Sequence, residues 1–145
     1  MWDFSMLDPI RDYPIEYFCD TDSVVLKGIE PEIMYKYVSQ IDTLKLIGYE
    51  NPQTYMCYTE PVVLLTYPFS YGDSLRTFFR GIGVYCLKNG IRTRGSVSVD
   101  ADAYGSIILP DDTINDVLRL HVIKSGSVNM NILSDTTVFD PDNLK

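Results

Sequence analysis

The residues between Asp100 and Asp111 have the spacing of a calcium-binding loop. At the first, third, sixth, eighth and twelfth positions of an EF-hand pattern the sequence has Asp100, Asp102, Gly105, Ile107 and Asp111. Calcium needs about six to eight oxygen ligands, and a bidentate Glu usually supplies the last of them. Here Tyr104 stands at a ligand position, and the flanks "SVSV" and "SIIL" are typical of strands, not of helices. We therefore predict two strands joined by a turn with positive φ at Gly105, and Asp100 and Asp102 are the one metal-site candidate.

Other catalytic patterns are missing from the sequence. The single histidine, His121, lies on the polar side of an alternating segment, where a structural histidine is typical. No nucleophile elbow, Walker A loop or dinucleotide fingerprint occurs. Acid pairs such as Asp20 with Asp22 and Asp111 with Asp112 stand in polar, turn-like segments. We expect no enzyme activity and no cofactor, with an acid-catalysed hydrolase as the alternative.

Length and composition indicate one folded domain. The chain has 145 residues, 46% hydrophobic residues and eleven tyrosines, which is enough to bury a core. Its three cysteines have no Cys-x-x-Cys spacing, so neither a disulfide framework nor a zinc site is expected. The N-terminal segment lacks the pattern of a signal peptide, and no apolar run reaches the ~18 residues of a membrane span. We expect synthesis in a reducing host cytoplasm and no membrane partner.

Charge is unevenly distributed along the chain. Residues 1–72 contain four basic and eleven acidic residues, a net charge of 4 − 11 = −7, whereas residues 73–145 contain eight and nine, a net charge of −1. Between Ser74 and Val99 there is no acid, but there are five bases: Arg76, Arg80, Lys88, Arg92 and Arg94. This split indicates contact between copies or with a charged neighbour, unless these are ordinary solvated strand faces. The overall sign argues against direct nucleic-acid binding.

The order of elements predicts an arm followed by a β-rich domain. Residues 1–22 mix aromatics with Pro and Asp, so we predict an extended arm anchored on its own domain or on a neighbour. Residues 23–139 form the domain, and residues 140–145 form a polar tail. One short helix is predicted at about 31–42, because Pro31 suits a first helical turn and Ile33, Tyr37 and Ile41 recur at helical spacing.

Beyond residue 43 the pattern is that of strands and turns. Asn89-Gly90 lies between two strand-like runs and predicts a type I′ hairpin turn. Alternating apolar and polar residues flank "KSGS" at 124–127, which predicts another turn. The fold class predicted is mainly β: an antiparallel β-sandwich, or a barrel-like domain, with one short helix and an extended N-terminal arm.

Residues 84–122 resemble the small β-modules of bacteriophage tail fibres and other virion appendages. The matching positions are Val84, Tyr85, Asn89, Gly90, Gly95, Ile107, Leu109, Pro110, Asp116, Val117 and Leu120. In these modules a strand enters an Asn-Gly hairpin, and an "ItLp"-type strand and a "gD-x-V-x-I" strand follow. Here Asn115 replaces the usual glycine of the last motif. The resemblance covers about a quarter of the chain and implies a structural component of a virus particle.

We therefore expect a non-enzymatic assembly protein of a virion, from a phage neck, tail, fibre base or capsid surface. It would act through interfaces with copies of itself and with other virion proteins. The interface candidates are Trp2, Phe4, Tyr13, Arg76, Arg80, Arg92 and Arg94. The alternative is a ligand-binding β-module, for instance for carbohydrate, in which tyrosine rings stack on sugars; its candidates are Tyr55, Tyr58, Tyr67 and Tyr71.

Overall fold

A computed structural model describes residues 1–8, 13–19 and 24–132. The residues described form nine strands and no α-helix, so the prediction of a mainly β chain is confirmed. The strands are β1 Trp2–Asp3, β2 Glu16–Cys19, β3 Val25–Glu30, β4 Ile33–Ser39, β5 Thr43–Glu50, β6 Thr54–Thr66, β7 Ser74–Tyr85, β8 Asn89–Ile108 and β9 Thr113–Ile132. The predicted polar tail, 140–145, lies outside the described residues.

Eight of the strands form an antiparallel meander in which each strand pairs with the next one along the chain. The order from edge to edge is β2-β3-β4-β5-β6-β7-β8-β9. Within the described residues this is a single open sheet, so the sandwich or barrel is not confirmed. The two outer strands differ greatly in length, because β2 has four residues and β9 has twenty.

The segment predicted as an arm contributes two strands to this sheet. β1 runs parallel to the end of β8, with Trp2 opposite Ile107, and the Phe4 N–H donates to the Ile108 carbonyl at 2.8 Å. β2 pairs with β3, with Tyr17 opposite Gly28. The described parts of the arm are therefore held to the domain by backbone hydrogen bonds.

The predicted helix at about 31–42 is absent, and strand β4 takes its place. The same segment also alternates: the Tyr35 and Tyr37 rings lie on one side, with centroids 6.1 Å apart, and Lys36 lies on the other, over the Tyr55 ring. Pro31 lies in the turn after β3, where Glu32 adopts φ 65°. Pairing on both sides, with β3 and β5, outweighs a short-range helical pattern in Tyr and β-branched residues.

The hairpin between β7 and β8 exists, but Asn89-Gly90 does not form its turn. The turn residues are Cys86 and Leu87, with φ 51° and 57°, and the Lys88 N–H donates to the Tyr85 carbonyl at 3.2 Å. Asn89 already belongs to β8, opposite Tyr85. The Cys86 N–H donates to the Gln53 carbonyl at 2.7 Å, so contact with the start of β6 fixes where β7 ends.

Two other predicted turns are replaced by continuous strand. β8 passes through residues 100–105 with two bulges, next to Ala101 and next to Gly105, and the chain reverses only at Leu109–Asp112, where the Leu109 N–H donates to the Asp112 carbonyl at 2.7 Å. β9 likewise passes straight through 124–127. Because β8 and β9 pair over nearly their whole length, a bulge or a glycine pair costs less than breaking the ladder.

The hydrophobic core lies on one face of the sheet, here called the inner face. Its buried residues are Leu46, Met56, Tyr58, Val62, Phe79, Ile91, Val97 and Val99. The rings of Tyr58 and Phe79 meet edge-on with centroids 5.8 Å apart. The Phe79 ring also covers the paired glycines Gly95 and Gly126, since a Cβ on Gly95 would lie 2.7 Å from its Cζ. This pair of glycines therefore makes the space that the ring occupies.

A tyrosine cluster extends the core onto β4 and β5. The Tyr35 ring centroid lies 6.1 Å from that of Tyr37 and 6.3 Å from that of Tyr49. Burial raises the pKa of all three phenols, and that of Tyr37 reaches about 12. The neutral form of these side chains is therefore favoured in the folded protein.

Alkaline pH is expected to destabilise the protein through Tyr37. The unfolded chain releases this proton at a pKa of 10.0 and the folded chain at about 12. The stabilising contribution is thus complete below pH 10 and is lost as the pH rises towards 12. Urea unfolding should show that the free energy of unfolding falls less between pH about 9 and about 11 in Tyr37→Phe than in the wild type. Tyr71→Phe, at a site 63% exposed, is the matched control and should lose as much as the wild type. An equal loss in Tyr37→Phe would contradict the assignment.

Candidate assembly surfaces

The outer edge of β9 is the longest open edge of the sheet. One side of the strand pairs with β8 from Thr113 to Ile132, and no described strand pairs with its other side. Every residue from 121 to 131 is exposed. An edge of this length presents a row of backbone donors and acceptors to which another strand can pair. Natural proteins usually shorten, twist or charge such an edge.

Apolar side chains accompany this open backbone. Val122 lies opposite the buried Val99, and Met130 lies opposite the buried Ile91, so both project from the inner face. Val128, on the same face, is 64% exposed. These three apolar side chains reach the edge of the sheet on the inner face, on either side of Lys124, whose Nζ lies over the Phe79 ring, 4.8 Å from its centroid.

The Gly95–Gly126 pair shows which backbone groups of β9 point outward. A Cβ added to Gly95 would lie nearest to the carbonyl oxygen of Ser125 on β9. A Cβ added to Gly126 would lie nearest to the carbonyl oxygen of Arg94 on β8, so both carbonyl groups point across to the neighbouring strand. The Ser127 carbonyl also faces β8, because it accepts from the Thr93 hydroxyl at 3.3 Å. Odd-numbered residues here thus bond to β8, and in an antiparallel ladder the even-numbered ones must then point their N–H and C=O away from it.

The four predicted interface arginines lie together on the opposite, outer face. Arg76 and Arg80 on β7, and Arg92 and Arg94 on β8, all have the parity that faces away from the core. We call these four residues the arginine face. Arg80 lies directly opposite Arg94, and like charges in that position are destabilising unless an anion offsets them.

Little of this charge is neutralised within the described chain. Arg80 contacts Glu60, with Nε 3.5 Å from Oε2, while Arg76, Arg92 and Arg94 have no ion-pair partner among the described residues. The ring of Phe78 projects from the same face between Arg76 and Arg80 and is 70% exposed. An aromatic ring flanked by two cations is a typical composition for the centre of a protein–protein contact.

A pocket of about 460 Å³ lies at the β8–β9 turn, where the N-terminal segment crosses it. The apolar residues that line it are Phe4, Leu7, Leu109 and Pro110, and the acidic residues are Asp8, Asp111 and Asp112. The Asp112 carboxylate accepts from the Thr113 N–H at 2.7 Å, which holds the turn. The pocket thus combines a mostly apolar lining with three acidic residues.

The three aromatic interface candidates of the arm contact their own chain. The Arg119 guanidinium lies over the Trp2 ring, 5.8 Å from its centroid. Phe4 lines the pocket at the β8–β9 turn. The Tyr13 hydroxyl donates to Glu30 Oε2 at 3.1 Å, and this bond raises the pKa of Tyr13.

The two metal-site candidates, Asp100 and Asp102, have protein partners. Arg119 makes two bonds to Asp102, Nε to Oδ1 and Nη2 to Oδ2, both at 2.8 Å, and they hold the pKa of Asp102 below its usual value. Asp100 Oδ2 accepts from the Ser98 hydroxyl at 3.3 Å. In the parts of the chain that the structure describes, no three His, Cys, Asp or Glu side chains are grouped to hold a metal.

The tyrosines proposed for sugar stacking do not share one surface. Tyr58 is 6% exposed and belongs to the core. Tyr55 lies on the outer face beside Lys36, whose Nζ is 5.0 Å from the ring centroid. Tyr67 and Tyr71 are exposed, which leaves two rings for that alternative.

Comparisons add no assignment to this geometry. No protein-family model, no curated protein and no solved structure matches the chain. Among the described residues there is no helix of the length and apolarity that crossing a membrane requires.

Sequence reasoning missed two of these features. The open edge of β9 was hidden by the turn predicted at "KSGS", although Val122, Val128 and Met130 keep the same alternation on both sides of it. Phe78 is absent from the interface candidates of the sequence, yet Arg76, Phe78 and Arg80 have the period of two that places them on one strand face. In both cases the alternation was a better guide than the turn residues.

Proposed function

We propose that this chain is a non-enzymatic structural protein that assembles with itself through the open edge of β9. The observation that carries the proposal is the twenty-residue edge strand, whose unpaired backbone is accompanied by exposed Val122, Val128 and Met130. Pairing with a second strand would satisfy the backbone groups and cover the apolar side chains together.

The partner best matched to this edge is β9 of a second copy. The other outer strand, β2, has only four residues and would leave most of the edge open. Two β9 strands related by a two-fold axis pair antiparallel, and the exposed run 121–131 is centred on Gly126. Val122 of one copy would then lie opposite Met130 of the other, and the two inner faces would form one continuous surface.

A virus particle is the setting that we propose for this assembly. Support comes from the resemblance of residues 84–122 to virion-appendage modules and from a chain rich in strand. Interfaces with other virion proteins would use surfaces that the β9 pairing leaves free. The neck, tail, fibre base and capsid surface are all compatible with such a role.

Sedimentation equilibrium of the full chain tests the self-assembly. In about 1 M salt, where surface charge is screened, the expected mass is twice that of the 16.5 kDa chain. The dimer should persist in this high salt, because the contact at the β9 edge is made of backbone bonds and apolar side chains. A monomer at every concentration up to the solubility limit would contradict the proposal.

A further inference from the structure

A second feature that suggests an interface is the exposed ring of Phe78, which we call the knob. Its ring is 70% exposed and lies between Arg76 and Arg80 on the outer face of β7. Exposing a phenyl ring forgoes the free energy of burial, and Arg80, which contacts Glu60, still lies opposite Arg94, which has no ion-pair partner among the described residues. An apolar site with carboxylates beside it would offset both costs.

The pocket at the β8–β9 turn has that composition. Its apolar lining includes Phe4, Leu7 and Leu109, and its volume of about 460 Å³ admits a phenyl ring. The acidic residues Asp8, Asp111 and Asp112 belong to the same lining. Knob and pocket are thus complementary in both apolar character and charge.

We propose that the Phe78 ring of one copy binds in this pocket of a second copy, with Arg76 and Arg80 against its carboxylates. Knob and pocket are different surfaces of the same chain, so the contact is head-to-tail and generates a ring or an open chain of copies. It uses none of the β9 edge and therefore goes beyond the proposed dimer. Together the two contacts would link dimers into larger assemblies.

The first test removes the knob. In low salt, where charge pairs are least screened, we expect the wild type to sediment as species larger than a dimer. The Phe78→Asp variant should form dimers but no larger species, because its head-to-tail association constant should be about tenfold lower or more. Leu87→Asp is the matched control, because Leu87 is 93% exposed in the β7–β8 turn, and it should assemble as the wild type does.

The second test exchanges charges across the contact. Arg76→Glu and Asp111→Lys should each fail to grow beyond the dimer, whereas an equal mixture of the two variants should regain larger species. A wild type that stays dimeric in low salt, a Phe78→Asp variant that still assembles, or a mixture without recovery would each overturn the proposal. Failure here leaves the dimer in about 1 M salt intact, so it is distinguishable from failure of the β9 pairing.

Discussion

Val128→Pro is expected to convert the dimer into a folded monomer. Val128 belongs to the even-numbered residues of β9, whose N–H points away from β8. Proline there removes a donor that only a second strand would use, so the ladder within the monomer is retained. In about 1 M salt the sedimentation mass should fall from that of the dimer to 16.5 kDa.

A matched substitution separates the loss of this donor from the loss of an apolar side chain. Val128→Thr keeps the backbone N–H and the branched shape, and it should remain largely dimeric. Circular dichroism should show the same strand content for both variants. If Val128→Pro were folded and still dimeric, the edge of β9 would not be the interface.

Gly95→Ala is expected to cost about 3 kcal/mol of the free energy of unfolding. The added Cβ would overlap the Ser125 carbonyl oxygen, and it would lie 2.7 Å from both the Gly126 Cα and the Phe79 Cζ. Backbone atoms of two paired strands cannot move apart without breaking ladder hydrogen bonds, and the Phe79 ring is packed in the core. The midpoint temperature of thermal unfolding should fall by about 10 °C in a chain of this size.

Gly105→Ala is the control within the same strand. The nearest atoms to its Cβ would be the Met1 N and the Trp2 Cζ3, both at 3.5 Å, which is ordinary contact. We expect a change of less than about 1 kcal/mol, because alanine also restricts the unfolded chain. Equal destabilisation by the two substitutions would mean that close strand approach at Gly95 is not what requires a glycine.

The distribution of charge shows how pairing changes the meaning of a sequence. Composition indicated an acidic half and a basic segment, and a net charge of −8. In the folded chain the arginines of that segment share the outer face of β7 and β8. Asp8 is far in sequence from Asp111 and Asp112, yet all three line one pocket. The net charge therefore does not describe either surface.

Alternation in the sequence was sufficient to predict a mainly β chain and the side on which many residues lie. Arg92 and Arg94 share a face because a strand has a period of two, whatever its neighbours are. Local turn signals were less reliable: Asn89-Gly90 and "KSGS" both lie inside strands. A turn dipeptide biases a few dihedral angles, whereas a long antiparallel ladder adds two hydrogen bonds at every second residue.

The helix predicted at 31–42 does not form, because β3 and β5 pair with this segment on both sides, as at Tyr35 and Tyr37. Pairing also placed Arg80 opposite Arg94, left the outer edge of β9 open and brought Phe4 to Leu109. These are contacts between residues distant in the chain. Their free energy depends on which strands become neighbours, and periodicity within a single segment carries no information about that choice.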